Sequence, residues 1–323
     1  MKFLVTGGAG FIGSHLCDAL LNIGHDVIAF DDLSTGSMEN LRSASRHPRF
    51  KFREGSILSQ EVVADSIRNS DYVIHLAAAV GVEKILKDPL GSLRTNIHGS
   101  ENVMLCASEL GKPSLIASTS EIYGKNDADA LTEDSDRILG SPLLSRWTYS
   151  EAKAIDEAIA RYLFETKSWK VKIVRFFNTV GPRQSPAYGM VIPRFVDAAL
   201  KDDDLVIHGD GTQSRVFCHI KDAIRGLLAL IDEKDSWGEA FNLGGVGEIT
   251  VRNLAELVVG ITNSSSGFNF ISYESLRSSG FEDMRRRIPN TEKLQKLTGW
   301  RPEFDIKRIV SDMVVDRREQ HDK

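Results

Sequence analysis

Tyr149 and Lys153, four residues apart in Tyr149-Ser-Glu-Ala-Lys153, are the pair in this chain best suited to moving a proton. On a helix that spacing sets both side chains on one face, so both can enter the same cleft. A free phenol, with a pKa of about 10, is a poor base near neutrality, and a neighbouring ammonium favours its phenolate. Tyr149 is therefore expected to act as general base and acid, with Lys153 lowering its pKa. A YxxxK pair also occurs on ordinary solvated helix faces, so its surroundings must decide.

A second motif, Thr6-Gly7-Gly8-Ala9-Gly10-Phe11-Ile12-Gly13, serves binding rather than proton transfer. It follows the apolar run Phe3-Leu-Val and opens a helix-like stretch. In that context a glycine-rich turn presents backbone N–H groups and a helix N-terminus to a dinucleotide pyrophosphate. Gly7 permits the tight turn, Gly10 the approach of the anion, and Gly13 the packing of helix on strand. Asp31 and Asp32 end the next apolar run, with Asp31 18 residues beyond Gly13. A carboxylate there accepts from an adenosine ribose and repels a 2′-phosphate, which favours NAD over NADP; the plainer reading of Asp31 is a turn cap.

Several elements must carry these residues. Phe3–Thr6, Val27–Phe30, Tyr72–Leu76, Ser114–Ser118 and Val171–Phe176 read as buried parallel strands, and residues 14–23, 60–69, 91–110 and 150–167 carry helical periodicity. The alternation predicts an α/β fold: a doubly wound parallel (Rossmann) sheet over 1–178, with ligands beyond the carboxyl ends of the strands. After 178 the pattern loosens at Pro182, Pro186 and Pro193. Residues 179–323 are expected to form mainly a smaller lobe, while about 215–245, including the strand Ala240–Leu243, return to the sheet.

Composition narrows the class of molecule. The 323 residues are 41% hydrophobic and carry a net charge of −5, which suggests neither nucleic acid nor an anionic membrane as partner. Cys17, Cys106 and Cys218 show no CxxC spacing and cannot all pair with one another. With the glycine motif at the start and no apolar run long enough for a span, a soluble cytoplasmic protein without metal is expected.

Taken in order, the motifs resemble the extended short-chain dehydrogenase/reductase family, in its nucleotide-sugar branch of epimerases, dehydratases and decarboxylases. Asp31-Asp-Leu-Ser34-Thr-Gly36, His75-Leu76-Ala77-Ala78, Asn96-Ile-His-Gly-Ser100 and Ser118-Thr119-Ser120-Glu121-Ile-Tyr-Gly124 carry the likeness beyond the two opening motifs. The resemblance implies bound NAD, with Phe11, Ile12, Ile57 and residues 76–78 along it and Asn96 supporting the proton relay. Ser56 departs from the acidic residue the family often places near the adenine. Asn178 and Arg183, in Arg175-Phe-Phe-Asn-Thr-Val-Gly-Pro-Arg183, and Arg215, in Gly209–Arg215, stand where the family holds its substrate's phosphates. A homodimer through the helices near 91–110 and 150–167 is also implied.

The family oxidises C4 of a nucleoside-diphosphate sugar, and its members differ in the fate of the ketone. Thr119, Ser120 and Glu121 bear on that fate, since simple 4-epimerases more often carry a small or apolar residue where Glu121 stands. Arg146-Trp147 and Arg287 match glucuronate decarboxylases, where an arginine serves near the leaving carboxylate; a solvated charge run is the alternative for Arg285–Arg287. The resemblance leans toward UDP-glucuronate decarboxylation, with Glu121 and Arg287 both binding and acting on substrate. A UDP-sugar 4-epimerase and a 4,6-dehydratase are the other enzymes in contention, and a catalytically silent NAD-binding regulator is the non-enzymatic alternative.

Overall fold

The computed structural model describes residues 1–80, 88–186, 190–272 and 284–321. Its strands begin β1 (Lys2–Thr6), β2 (Asp26–Asp31), β3 (Phe50–Glu54), β4 (Tyr72–His75), β5 (Ser114–Thr119) and β6 (Val171–Phe176). The short β7 (Thr179–Val180), β8 (Leu205–His208), β9 (Ser214–Val216) and β10 (Cys218–His219) intervene before β11 (Ala240–Leu243), and β12 (Glu248–Thr250), β13 (Phe268–Ile271) and β14 (Arg286–Arg287) complete the set. Seven of these build the central sheet in the order β11-β6-β5-β4-β1-β2-β3, with every neighbouring pair parallel. The order reverses at the β1/β4 pair, so the loops leaving these two strands diverge and open a crevice.

Helices cover both faces because the strands are apolar on both faces. Phe3 and Val5 of β1 join one hydrophobic layer with α1 (Phe11–Asn22) and a later helix over Ile220–Asp232. Leu4, between them, joins the opposite layer with α2 (Gln60–Arg68), Val103 and Met104, and Ala160 and Leu163. β3 was not among the expected strands: Phe50-Lys-Phe-Arg-Glu alternates aromatic with charge at a sheet edge instead of running continuously apolar.

The stretch expected as one helix over 91–110 is broken into α3 (Pro89–Arg94), a π turn at Thr95–Gly99 and α4 (Ser100–Glu109). The wider turn rotates α4 relative to α3 and aims Asn96 inward, where its side chain is 2% exposed. α5 (Thr148–Lys167) packs on β5, β6 and the π turn, and carries the tyrosine and lysine at its first two turns.

A third hydrophobic cluster joins α6 (Val191–Ala199), β8, α8 (Val251–Thr262) and α10 (Ile306–His321); α7 (Ile220–Asp232) and α9 (Glu292–Thr298) belong to the layer containing α1. β14 pairs with β9, and a bridge between Leu131 and Pro289 ties the chain's late segment to the loop after β5. Among the described residues no helix is long and apolar enough to cross a membrane, and all three cysteines are free and buried.

Candidate active site

The crevice at the strand switch is a cavity of about 1160 Å³. Its wall includes the glycine turn, the tips of β2, β4 and β5, the start of α5, and residues from the C-terminal half. Gly7 makes the turn with φ +69°, and an added Cβ would lie 2.8 Å from the Ala77 nitrogen. At Gly13 a Cβ would stand 2.1 Å from the Gly7 carbonyl oxygen, so only glycine lets α1 start this close to β1. Gly10 caps α1 with extended backbone and no side-chain bond, and the first turn holds no acidic residue. Phe11, Ile12 and Gly13 of that first turn line the cavity at the positive end of the helix, where a pyrophosphate would be held.

Gly10, Phe11, Ile12, Asp31, Asp32 and Ser34 share this part of the wall. The Asp31 carboxylate accepts from Ala9 N at 2.9 Å and Leu33 N at 2.8 Å, so it caps the turn and faces the cavity at once. Asp32 accepts from Ser34 N at 3.0 Å. An uncapped helix start beside a carboxylate at the β2 tip, with no arginine at positions 31–34, fits a dinucleotide that lacks a 2′-phosphate. Gly36 stands behind this wall, where a Cβ would meet Ala9 and Asp31 at 2.9 Å. Asn40, which no sequence motif singles out, lines the cavity and donates to Ala9 O at 2.9 Å.

Leu76, Ala77 and Ala78 run along the floor, with Ile57 beside them; Ser56 lies outside the wall and accepts from Leu58 N. Asn96 does not line the cavity either. Its carboxamide closes on Ala79 from both sides, accepting from the N–H at 2.7 Å and donating to the carbonyl at 3.0 Å, which holds the floor in place. Beneath, a buried polar chain runs from Thr6 Oγ1 to His75 Nδ1 at 2.7 Å and from His75 Nε2 to Ser100 Oγ at 3.0 Å. Burial, helped by the Lys153 charge, pushes the His75 imidazole down to about 3, so it is neutral near physiological pH.

Tyr149, half-buried, and Lys153, 1% exposed, share the cavity wall with Thr119, Ser120 and Glu121. Thr119 Oγ1 accepts from Glu121 N at 3.2 Å, and Ser150 Oγ donates to Glu121 O at 2.9 Å, locking the β5 tip to the start of α5. The phenol is pushed above its ordinary range, first by burial and then by the charges of Glu121 and Asp156. Lys153 Nζ lies 3.1 Å from Asp156 Oδ2.

Glu121 is held by two guanidiniums. Arg287 Nη1 donates to its Oε1, and Arg146 Nη2 lies 2.5 Å from Oε2. Burial opposes ionisation, but the charges and hydrogen bonds of Arg287 and Arg146 outweigh it and hold the carboxyl at about 2. Arg287 is 7% exposed rather than part of a solvated run, donates to Asn178 Oδ1 at 3.1 Å, and has no hydrogen-bond partner for its Nε among the described residues. Arg286, next to it, points away and pairs with Glu248 and Asp129. Asp283, which opens that run in the sequence, lies outside the described residues.

Asn178, at φ +35°, also donates to Val216 O at 2.8 Å, so its carboxamide bridges β9 and Arg287 at the cavity edge. Arg183 lines the cavity and pairs with Asp18 at 2.7 Å. Arg215 stands outside the wall, 7% exposed on β9, and donates to Ser214 O at 2.7 Å. Arg317 and Gln320, on α10, line the cavity without a motif to announce them, because only the fold brings that helix to the crevice.

Residues 3–244 match the NAD dependent epimerase/dehydratase family. The chain belongs to that family, and NAD is its cofactor. It is 35% identical to the UDP-N-acetyl-alpha-D-glucosaminuronate decarboxylase of Bacillus cytotoxicus over 98% of each chain. With UDP-glucuronic acid decarboxylase 1 of Arabidopsis thaliana it shares 32% identity over 98% of this chain and 70% of that one. The structure of UDP-glucuronic acid 4-epimerase from Bacillus cereus, in complex with UDP-glucuronic acid and NAD, superposes with a TM-score of 0.89 at 29% identity, over 99% of this chain and all of that one.

This geometry makes two outcomes testable. Gly13→Ala should destabilise the fold by about 2 kcal/mol through overpacking and yield protein that releases NAD on gel filtration, read by absorbance of the eluted nucleotide. Glu121→Gln leaves two guanidiniums short of a counter-charge and should cost roughly 3 kcal/mol near neutral pH. A carboxyl depressed from 4.5 to about 2 stabilises fully above 4.5 and loses that contribution as pH falls toward 2. Urea midpoints of the two proteins should therefore differ most above pH 4.5 and converge near pH 2.

Proposed function

We propose that this enzyme decarboxylates a UDP-linked uronic acid, UDP-glucuronate being the first substrate to test, through a transient 4-keto sugar. The observation that carries the reading is the cluster of Arg146, Arg287 and Glu121 beside Tyr149. Two cations against one anion leave a local charge of +1 in a largely buried pocket, with the Arg287 Nε still lacking an acceptor among the described residues. A second carboxylate, such as C6 of a uronate, meets that charge and that donor. The decarboxylases of Bacillus cytotoxicus and Arabidopsis thaliana and the 4-epimerase of Bacillus cereus are all named for nucleotide-linked uronic acids.

In this reading Tyr149 accepts the C4 hydroxyl proton, while Thr119 and Ser120 hold the sugar against the tip of β5. Bound NAD supplies a reversible two-electron acceptor for the hydrogen at C4. The resulting ketone stands β to the C6 carboxylate, so carbon dioxide can leave with its bonding electrons delocalised toward the C4 oxygen. A proton then takes its place at C5, and the hydrogen removed from C4 is returned as Tyr149 gives its proton back to the C4 oxygen. Arg287 orients the carboxylate before it departs. Glu121, ionised and shared between the arginines, keeps them from neutralising the leaving group completely. Residues 179–323, carrying Asn178's partner strand β9, Arg183 and Arg287, are proposed to hold the nucleoside diphosphate.

Similarity to the 4-epimerase favours a second reading, in which the same ketone is turned over and reduced with its carboxylate intact. Product mass separates the two. Purified enzyme given UDP-glucuronate, and separately its 2-acetamido counterpart, is expected to yield a product lighter by carbon dioxide; a new stereoisomer of unchanged mass would establish epimerisation instead. Tyr149→Phe should lower kcat by about a thousandfold with NAD retained. Arg287→Met should lower kcat/KM for the uronate by about a hundredfold, leaving neutral UDP-hexose binding little changed in calorimetry.

A further inference from the structure

Two residues beyond Glu121, in the same turn at the tip of β5, stands a tyrosine that does not line the cavity. Tyr123 is 0% exposed, and its hydroxyl accepts from Arg175 Nη1 at 2.8 Å and donates to Asn242 Oδ1 at 2.7 Å. Both directions are forced. A guanidinium has only donors to offer, so the phenolic proton goes the other way, and the asparagine that receives it must turn its oxygen toward the hydroxyl. Asn242 Nδ2 is then aimed at two carbonyls, Leu131 O at 2.8 Å and Asn290 O at 3.2 Å. Burial pushes the Tyr123 phenol up to about 12, so the proton that orders the amide stays in place near neutrality.

Those two carbonyls belong to the segments that meet at the Leu131–Pro289 bridge. Leu131 N donates to Ile288 O and Asn290 N to Leu131 O, both at 2.8 Å. Arg287 is the residue just before Ile288. At the other end of the series, Arg175 of β6 is fixed by a bidentate pair with Glu157, at 2.9 and 2.7 Å, one turn beyond Lys153 on α5. Glu157 also accepts from Ser118 Oγ of β5. A continuous set of polar contacts therefore starts on the helix that carries Tyr149 and Lys153, passes through the turn that carries Glu121, and ends on the segment that carries Arg287.

We infer that Tyr123 is a positioning residue for recognition of the sugar's carboxylate: its hydroxyl sets the segment bearing Arg287 against the turn bearing Glu121. This role rests on the reading of Arg287 as the contact for that carboxylate. Packing against the Phe177 ring, with centroids 5.9 Å apart, would be served as well by phenylalanine, and so would the stack under Arg175 at 5.1 Å. Only the hydroxyl needs tyrosine. Without it Arg175 Nη1 keeps Glu133 O, at 2.7 Å, as an acceptor, but the buried Asn242 Oδ1 loses the donor that orients its amide. A guanidinium that meets a carboxylate through paired donors is sensitive to small displacements of the backbone that carries it.

Tyr123→Phe removes that hydroxyl and nothing else. Calorimetry on the NAD-loaded protein is expected to show Kd for UDP-glucuronate rising about fivefold, with Kd for UDP-glucose changing less than about twofold. In an Arg287→Met background the same substitution should add nothing, because residues that act through one another are not additive. Asn242→Ala, which deletes the donors to both carbonyls, is the second variant and should repeat the pattern. A merely structural phenol would give an equal loss for both ligands, or an undiminished Tyr123→Phe effect in the Arg287→Met background, and either result overturns the inference. Unchanged uronate affinity in Arg287→Met alone overturns the reading of Arg287 as well. Binding precedes turnover, so these affinities read the same whether the ketone is decarboxylated or turned over.

Discussion

Charged side chains largely buried at the edge of a crevice must find opposite charges there, and the architecture around this cavity follows from that requirement. Glu121 has its two oxygens occupied by Arg146, from the loop just before α5, and by Arg287, from a strand 166 residues further along the chain. No single element could supply all three. The central sheet places the β5 tip, the small sheet of β9, β12 and β14 places Arg287, and the Leu131–Pro289 bridge draws the two together. Desolvating a carboxylate and two guanidiniums is costly, and it is sustainable only in an assembly whose geometry satisfies them together.

The same logic runs at a second level under the cavity floor. Thr6, His75 and Ser100 link the end of β1, the end of β4 and the start of α4 through a continuous line of buried polar contacts. Ala77 N donates to Thr6 Oγ1 at 3.3 Å, which extends this line to the backbone that lines the cofactor side. The imidazole is neutral and so can serve as a two-ended connector without adding charge. The ends of β1 and β4, the cavity floor and the start of α4 are in this way braced by short polar contacts rather than by apolar packing alone.

Much of this was legible in the sequence where function forces local chemistry. The Gly7–Gly13 turn and the Tyr149/Lys153 spacing are short-range patterns, and the five short, mainly apolar runs marked their strands directly. What stayed hidden depends on contacts between distant segments. Nothing in Pro89–Glu109 announces a π turn, because the distinction between one turn type and another is set by what Asn96 must reach on the Leu76–Ala79 segment. β3 was missed because an edge strand alternates. Asp156 reads as an ordinary polar residue of an amphipathic helix, and its burial against Lys153 is visible only in the fold. Arg215 carried a motif likeness, yet its place on β9 sets it outside the cavity wall.

The long separation between Glu121 and Arg287 has a consequence for how the protein is made. Synthesis proceeds from the N-terminus, so the β1 to β6 segments and the tyrosine helix leave the ribosome while residue 287 is still to be added. Through that interval Glu121 has one guanidinium, not two, and the emerging pocket carries no net positive charge. The cluster acquires its second guanidinium, and with it a net positive charge, only when the late strand docks.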